Sequence, residues 1–308
     1  MIRRHLVSSL LQMLPVLYIV SLIVFILVYL TGDPVALMLP EDEYGEEARR
    51  QLIEALGLDQ PWYVQYYIYM RNILTGDFGI SYRYGSSALP VVLERIPATL
   101  ELTLGALAVS IVISVPLGIL SARYRNSFVD IGATALSVAG KAMPNFWIGI
   151  MLILVFSVML RWVPVSGRGG MEHLVLPALT LGTGLAAEMT KMIRASLIEV
   201  MSQDYIRTAR AKGLSEFAVV WRHGLRNSLI PVTTITSLNV VGLLGGALVT
   251  ETVFAWPGIG QLIVQAVYTK DMAVVQVSVF IIGVMAMLLS IATDLIYHAL
   301  DPRIRYSR

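Results

Sequence analysis

The sequence predicts an all-α membrane protein with six transmembrane helices and both termini on the cytoplasmic side. Three observations lead there. The 308 residues are 56% hydrophobic and 14% charged, with a mean hydropathy of +0.71, too apolar for a soluble domain of this length. The apolar residues collect in uncharged runs near the about 20 residues a bilayer requires. The basic residues gather at alternate ends of those runs, the asymmetry that orients membrane proteins.

The first run, residues 6–32, follows Arg3 and Arg4 and contains Pro15 as a kink site. It is too long for a cleaved signal peptide, and no small-x-small cleavage site follows it. Further uncharged runs occupy 102–122, 142–160, 174–187, 227–250 and 272–293. The third and fourth are expected to extend past Lys141 and Glu188. One set of ends carries Arg3, Arg4, Arg123, Arg125, Lys191, Arg194, the basic residues of 204–231, and Arg303, Arg305 and Arg308. The other set holds little beyond Arg161, Arg168 and Lys270. Both ends of the chain and the basic loop are therefore placed in the cytoplasm.

Between the first two runs, residues 31–98 form a long outer segment. It opens acidic (Glu41, Asp42, Glu43, Glu46, Glu47), and Leu52, Ile53 and Leu56 then recur at roughly helical spacing. Trp62, Tyr63, Tyr66, Tyr67 and Tyr69 suggest an amphipathic stretch at the interface, where aromatic residues prefer to sit. A lid, a docking surface and a plain return path are all compatible with it.

The inner loop, residues 195–231, contains DYIRTARAKGLSEFAVVWRHGLRNSLIP, a basic island between apolar runs. Residues 205–212 read as a short helix, Gly213 as a turn that only glycine makes without steric penalty, and Ser215 as the N-cap of a second helix running toward Pro231. Helix, turn and helix make a compact knob for another protein to grip; the plainer alternative is a solvated basic loop.

Little else carries chemistry. A phosphate loop needs G-x4-G-K-[ST], but Gly140-Lys141 is followed by Ala142 and has Ala135 where the earlier glycine belongs. There is no cysteine, and His5, His173, His223 and His298 are scattered among different loops and ends, so no metal set is expected. No enzyme and no bound cofactor are read here, and a near-neutral charge of +2 gives no reason to expect nucleic acid. Ionisable groups inside spans are functional candidates by default. Lys141, next to the Met143-Pro144-Asn145 break in the third run and with Asn145 a turn further on the same face, either lines a path and meets a cargo carboxylate, or pairs with Glu188 or Asp294, or snorkels. Gly242 and Gly246 at GxxxG spacing, with Gly245 between them, favour close helix approach in lipid, within this chain or at a seam with a second one.

The segment D-Y-I-R-T-A-R-A-K-G-L-S resembles the so-called EAA loop of permease subunits in ATP-binding-cassette importers, in its dipeptide, oligopeptide and nickel form. Arg207, Thr208 and Ala209 stand where the general motif has Glu-Ala-Ala, so only the last alanine and Gly213 match. The motif's proline is displaced to Pro231. GDPV (32–35), GLDQP (57–61), GDFGISY (76–82), PATLELT (97–103), MPNFWIG (143–149), FAWPGIG (254–260) and DPRIR (301–305) are similar to the same branch, in order along nearly the whole chain. The resemblance implies a single permease domain over 1–308 with the type I importer fold, in the inner membrane of a bacterium or archaeon. It implies that Tyr205, Arg207, Ala209, Ala211, Lys212 and Gly213 form a coupling helix seated on a cytoplasmic ATPase. The cations, Arg210 included, would orient docking, and Ala209 and Ala211 would allow close approach. Expected partners are a homologous second permease, two ATP-binding subunits that use ATP and Mg, an extracytoplasmic solute-binding protein, and membrane lipid. Peptides are the default cargo, with nickel chelates or glutathione-like compounds as the alternative. An ion-driven secondary transporter is the rival from another class, and an intramembrane enzyme or scaffold a further one.

Overall fold

Apolar runs this long have one way to satisfy their backbone in lipid, the helix, and the computed structural model is built almost wholly of helices. It describes residues 2–26, 59–81 and 83–300, together with positions 47, 50, 53 and 54. Most of the acidic 41–47 stretch, the GDPV phrase, part of GLDQP, the DPRIR tail and the side chain of Asp294 lie outside the described residues. In chain order the elements are α1 (Ile2–Phe25), α2 (Trp62–Thr75), a β1–β2 hairpin (Ile80–Ser81, Ser86–Ser87), α3 (Ala88–Leu93), α4 (Ile96–Arg123) and α5 (Phe128–Ala142). Then come α6 (Asn145–Leu152, continued as a π-helix Ile153–Met159), α7 (Met171–Met201), α8 (Asp204–Ala211) and α9 (Glu216–Ala218, continued as a π-helix Val219–Leu225). The last are α10 (Arg226–Val253), α11 (Ile259–Tyr268) and α12 (Met272–Leu300).

By length and composition two described helical stretches suit a membrane span: Ala88–Arg123, which holds α3 and α4, and Met272–Ala292 within α12. The pair formed by α5 and α6 with its π-helical continuation makes a third if taken as one broken span. The runs in α7 and α10 are fully helical, but the helices that hold them carry polar groups, among them Glu188, Lys191 and Arg194 on α7 and Thr236 and Asn239 on α10.

The third run is broken at Met143-Pro144-Asn145, where the chain turns by 104° between α5 and α6. Pro144 has no N–H to give and disfavours helical geometry at the residue before it, and Met143 accordingly adopts φ −84°, ψ 133°. Asn145 therefore opens a new helix and does not share a helix face with Lys141.

The chain divides into two compact units. One comprises Met1–Pro97 and Pro257–Leu288, with a core that includes Phe25, Tyr69, Val92, Ile259, Val274 and Val277. In this unit the buried Asp271 accepts a hydrogen bond from the Ser81 hydroxyl and so ties the hairpin to the start of α12. Tyr66 joins α2 to α1 through its hydroxyl, 3.0 Å from that of Ser21.

The other unit comprises Ala98–Trp256 and Leu289–Arg308. Leu102, Ala106, Leu181, Ile193, Val240 and Trp256 are among its core residues. Here α4 and α7 come together through glycines: a Cβ at Gly118 would sit 2.7 Å from Ile193, and one at Gly182 would sit 2.6 Å from the Ala106 carbonyl oxygen. By contrast a Cβ at Gly242 or Gly245 would meet nothing within 4 Å. That holds among the described residues, where Gly242 borders a cavity; the surroundings of Gly246 lie outside them.

Candidate functional site

The basic knob is a helix, a turn and a helix. α8 ends at Ala211 with Lys212 as its C-cap, Gly213 turns with φ 77°, and the Ser215 hydroxyl accepts a hydrogen bond from the Ala218 N–H, capping α9. Alternate residues of a short helix point different ways, so Ile206 and Ala209 face inward and are buried with Val219, with Met201 packed against them. Ala209 is therefore a packing residue and not part of an exposed slim face, which corrects the expectation for it. Ala211, two positions on, is exposed.

Charge closes the knob as well. Arg210 donates to Glu216 across the glycine turn, Nε to Oε1 at 2.7 Å and Nη2 to Oε2 at 3.3 Å. The guanidinium holds the Glu216 carboxyl below the usual carboxylate range. Arg210 is thus engaged within the knob. Arg207 lies 3.5 Å from Asp204, both widely exposed, and Lys212 is exposed. The Tyr205 hydroxyl accepts from the Asn227 amide at 2.9 Å, fastening α8 to the first turn of α10. Arg207, Ala211 and Lys212 stand outward, while Tyr205, Ile206 and Ala209 fix the helix in place.

The second constellation lies at the break between α5 and α6. Lys141 donates to Glu188 on α7, and the other Glu188 oxygen accepts from the Asn239 amide of α10 at 2.8 Å. These three residues, with Asn145, Gly184 and Gly242, line a cavity of about 270 Å³. The expected Lys141–Glu188 pair is present, and the same pair faces an open space. Asn145 reaches that space as the first residue of α6, placed there by the bend and not by helical periodicity.

Several polar pairings were not legible in the sequence. Asp130 is buried and accepts two hydrogen bonds from Arg194, at 2.6 and 2.7 Å. It also accepts from the Ser121 hydroxyl and from the Asn126 N–H at 2.9 Å. Asn126 has φ 62°, a conformation asparagine tolerates. This clamp fastens the turn between α4 and α5 to α7. Fully buried Glu251 accepts from Thr99 at 2.8 Å, and the Trp256 indole donates to the Ala98 carbonyl at 2.8 Å. Pairs 64 to 158 positions apart leave no local pattern; an acidic residue within an apolar run was the one available signal.

With this fold and these sites in view, comparison with known proteins gives the class. The model of the binding-protein-dependent transport system inner membrane component matches residues 114–306. The model of the N-terminal part of such membrane components matches residues 1–103. The chain belongs to this family of importer permeases, in its peptide/nickel branch. It is 41% identical over 307 residues to the glutathione transport system permease protein GsiC of Escherichia coli O1:K1, a match that covers 98% of this chain and 99% of the relative. GsiC of Shigella dysenteriae serotype 1 matches to the same extent. Among solved structures, an inward-facing form of the MetNI methionine ABC transporter aligns with TM-score 0.57 and 19% identity, over 68% of this chain and 96% of that one. An amino acid ABC transporter crystallised with histidines aligns with TM-score 0.54 and 12% identity, over 68% and 94%. At these identities the structures speak for the fold alone.

Proposed function

We propose that this chain is the non-catalytic translocation subunit of an ATP-driven importer, crossing the inner membrane six times with both termini cytoplasmic. It pairs with a homologous second permease, and two cytoplasmic ATP-binding subunits supply the energy from ATP and Mg. An extracytoplasmic solute-binding protein delivers cargo, which passes between the permeases. The cargo is a small peptide. The full-length likeness to a glutathione permease favours a glutathione-like tripeptide among such peptides.

The observation that carries this reading is the construction of the knob. A helix keyed inward by Ile206 and Ala209, locked to its neighbour by Arg210–Glu216 and tied to α10 through Tyr205, moves as a rigid body. A rigid helix passes a partner's movement into the spans, where a loose loop would absorb it. Arg207, Ala211 and Lys212 then meet the ATPase, and Gly213 sets the angle. The cavity at Lys141 and Asn145 lies on the cargo path, and the open face at Gly242, with Gly246, belongs to the seam with the second permease.

The test is uptake by proteoliposomes holding the complete complex. Gly213→Val should insert and assemble normally yet lose at least tenfold of ATP-driven uptake, because a β-branched residue is strained at φ 77°. Robust uptake by that variant removes the coupling role. Accumulation against a gradient by the chain alone, with no nucleotide hydrolysed, removes the importer reading altogether.

A further inference from the structure

The cavity at the α5–α6 break has a chemistry more specific than a wet path. The Lys141 side chain is 60% exposed and that of Glu188 is 30% exposed, so a ligand can reach both charges. Both charges border the same space, about 270 Å³, below the roughly 300–1,000 Å³ of sites that enclose a whole drug-sized ligand. It suits one end of a cargo molecule. Two neutral amides, Asn145 and Asn239, flank the charges. Asn145 is also the first residue of α6, and the start of a helix is its positive dipole end, which favours an anion.

A positive group, a negative group and an anion-favouring helix start therefore sit side by side. A ligand complementary to that arrangement carries a carboxylate and an ammonium on neighbouring atoms, so that it takes both partners of the pair together. An α-amino-acid head does so. An ordinary linear peptide does not, since its ammonium and carboxylate lie at opposite ends. A γ-glutamyl peptide does, because its first residue is joined through the side chain and keeps the head free.

We infer that the Lys141–Glu188 cavity binds the α-amino-acid head of a γ-glutamyl-type peptide, with the carboxylate on Lys141 and Asn145 and the ammonium on Glu188. The inference rests on the importer reading above and narrows its cargo. Lys141 and Glu188 satisfy each other at the cavity wall, and Asn239 holds the second oxygen of Glu188 in place. Cargo exchanges one ion pair for two, so charge need not be stripped at any stage.

The chain contains no cysteine, which permits a direct test. A Cβ at Gly184 would meet only the Asn145 side-chain oxygen, at 3.8 Å, so Gly184→Cys places a unique thiol in the cavity without crowding it. In the reconstituted complex, millimolar S-methylglutathione should slow methanethiosulfonate labelling of this chain at least threefold. N-acetyl-S-methylglutathione and trialanine should leave the rate within twofold of the unprotected value. Adding Lys141→Met or Glu188→Gln should abolish the protection; where those variants fail to assemble, the Gly184→Cys chain alone decides. Labelling untouched by S-methylglutathione, or slowed equally by all three probes, overturns the inference. ATP-driven uptake of S-methylglutathione by the wild-type vesicles separates the two levels. Uptake without protection sinks this site alone; absence of S-methylglutathione uptake sinks the γ-glutamyl cargo, and the importer reading falls only on the test given for it above.

Discussion

At the scale of single residues, the glycines divide by what surrounds them. Gly118 and Gly182 sit where α4 and α7 nearly touch, and a side chain at either would collide with Ile193 or the Ala106 carbonyl. Gly182→Val forces the helices apart and should cost about 1–3 kcal/mol, the usual range for overpacking, read as a lower unfolding temperature in detergent. Gly213 is the opposite case. Nothing stands within 4 Å of its missing Cβ, so the penalty there is conformational only. Gly213→Asn should therefore keep most of the uptake that Gly213→Val loses, since asparagine tolerates the left-handed region. The GxxxG pair singled out in the sequence, Gly242 and Gly246, has a different character. Spacing along a helix says that two glycines share a face, but not which neighbour that face meets.

At the scale of elements, the knob and the α4–α5 turn are each held by a carboxylate reaching an arginine. Glu216 titrates below its ordinary value because Arg210 stabilises its charged form. That contribution is complete above the unfolded carboxylate value of 4.5 and fades as pH falls through the lowered folded one. Uptake between pH 6 and 8 should consequently show no change arising from this pair. The pair is half exposed, so Glu216→Gln should loosen the knob by at most about 1 kcal/mol, seen as faster proteolytic clipping near Leu214. Asp130 has more partners and far less water. Asp130→Ala leaves Arg194 and the Asn126 N–H without their acceptor and should destabilise by about 2–3 kcal/mol. This is less than the about 3–5 of a fully enclosed pair, because Arg194 still touches solvent. Thermal unfolding of the purified complex measures it.

At the scale of the whole molecule, orientation is the property to test. Single cysteines at Lys212 and at Arg168 should react with a membrane-impermeant maleimide from opposite sides, Lys212→Cys only in inverted vesicles and Arg168→Cys only in intact spheroplasts. Labelling of both from one side overturns the proposed six-span arrangement. The likeness in fold to methionine and amino acid transporters at 12–19% identity speaks for the scaffold alone.

The helices were legible from residue order alone, because the bilayer imposes a simple rule: uncharged length makes a helix. The knob could be read as well, since Gly213 and Ser215 act on their immediate neighbours through backbone geometry. The bend at Pro144 was half legible: proline announces a break but not its 104°. Only the tertiary structure turned Ala209 inward, opened the space around Gly242, joined Asp130 to Arg194 and set Lys141 against Glu188 beside a cavity. Those facts depend on which helix faces which across long stretches of chain. In a run where nearly every residue is apolar, local pattern cannot carry that information; packing and the pairing of buried charge decide it.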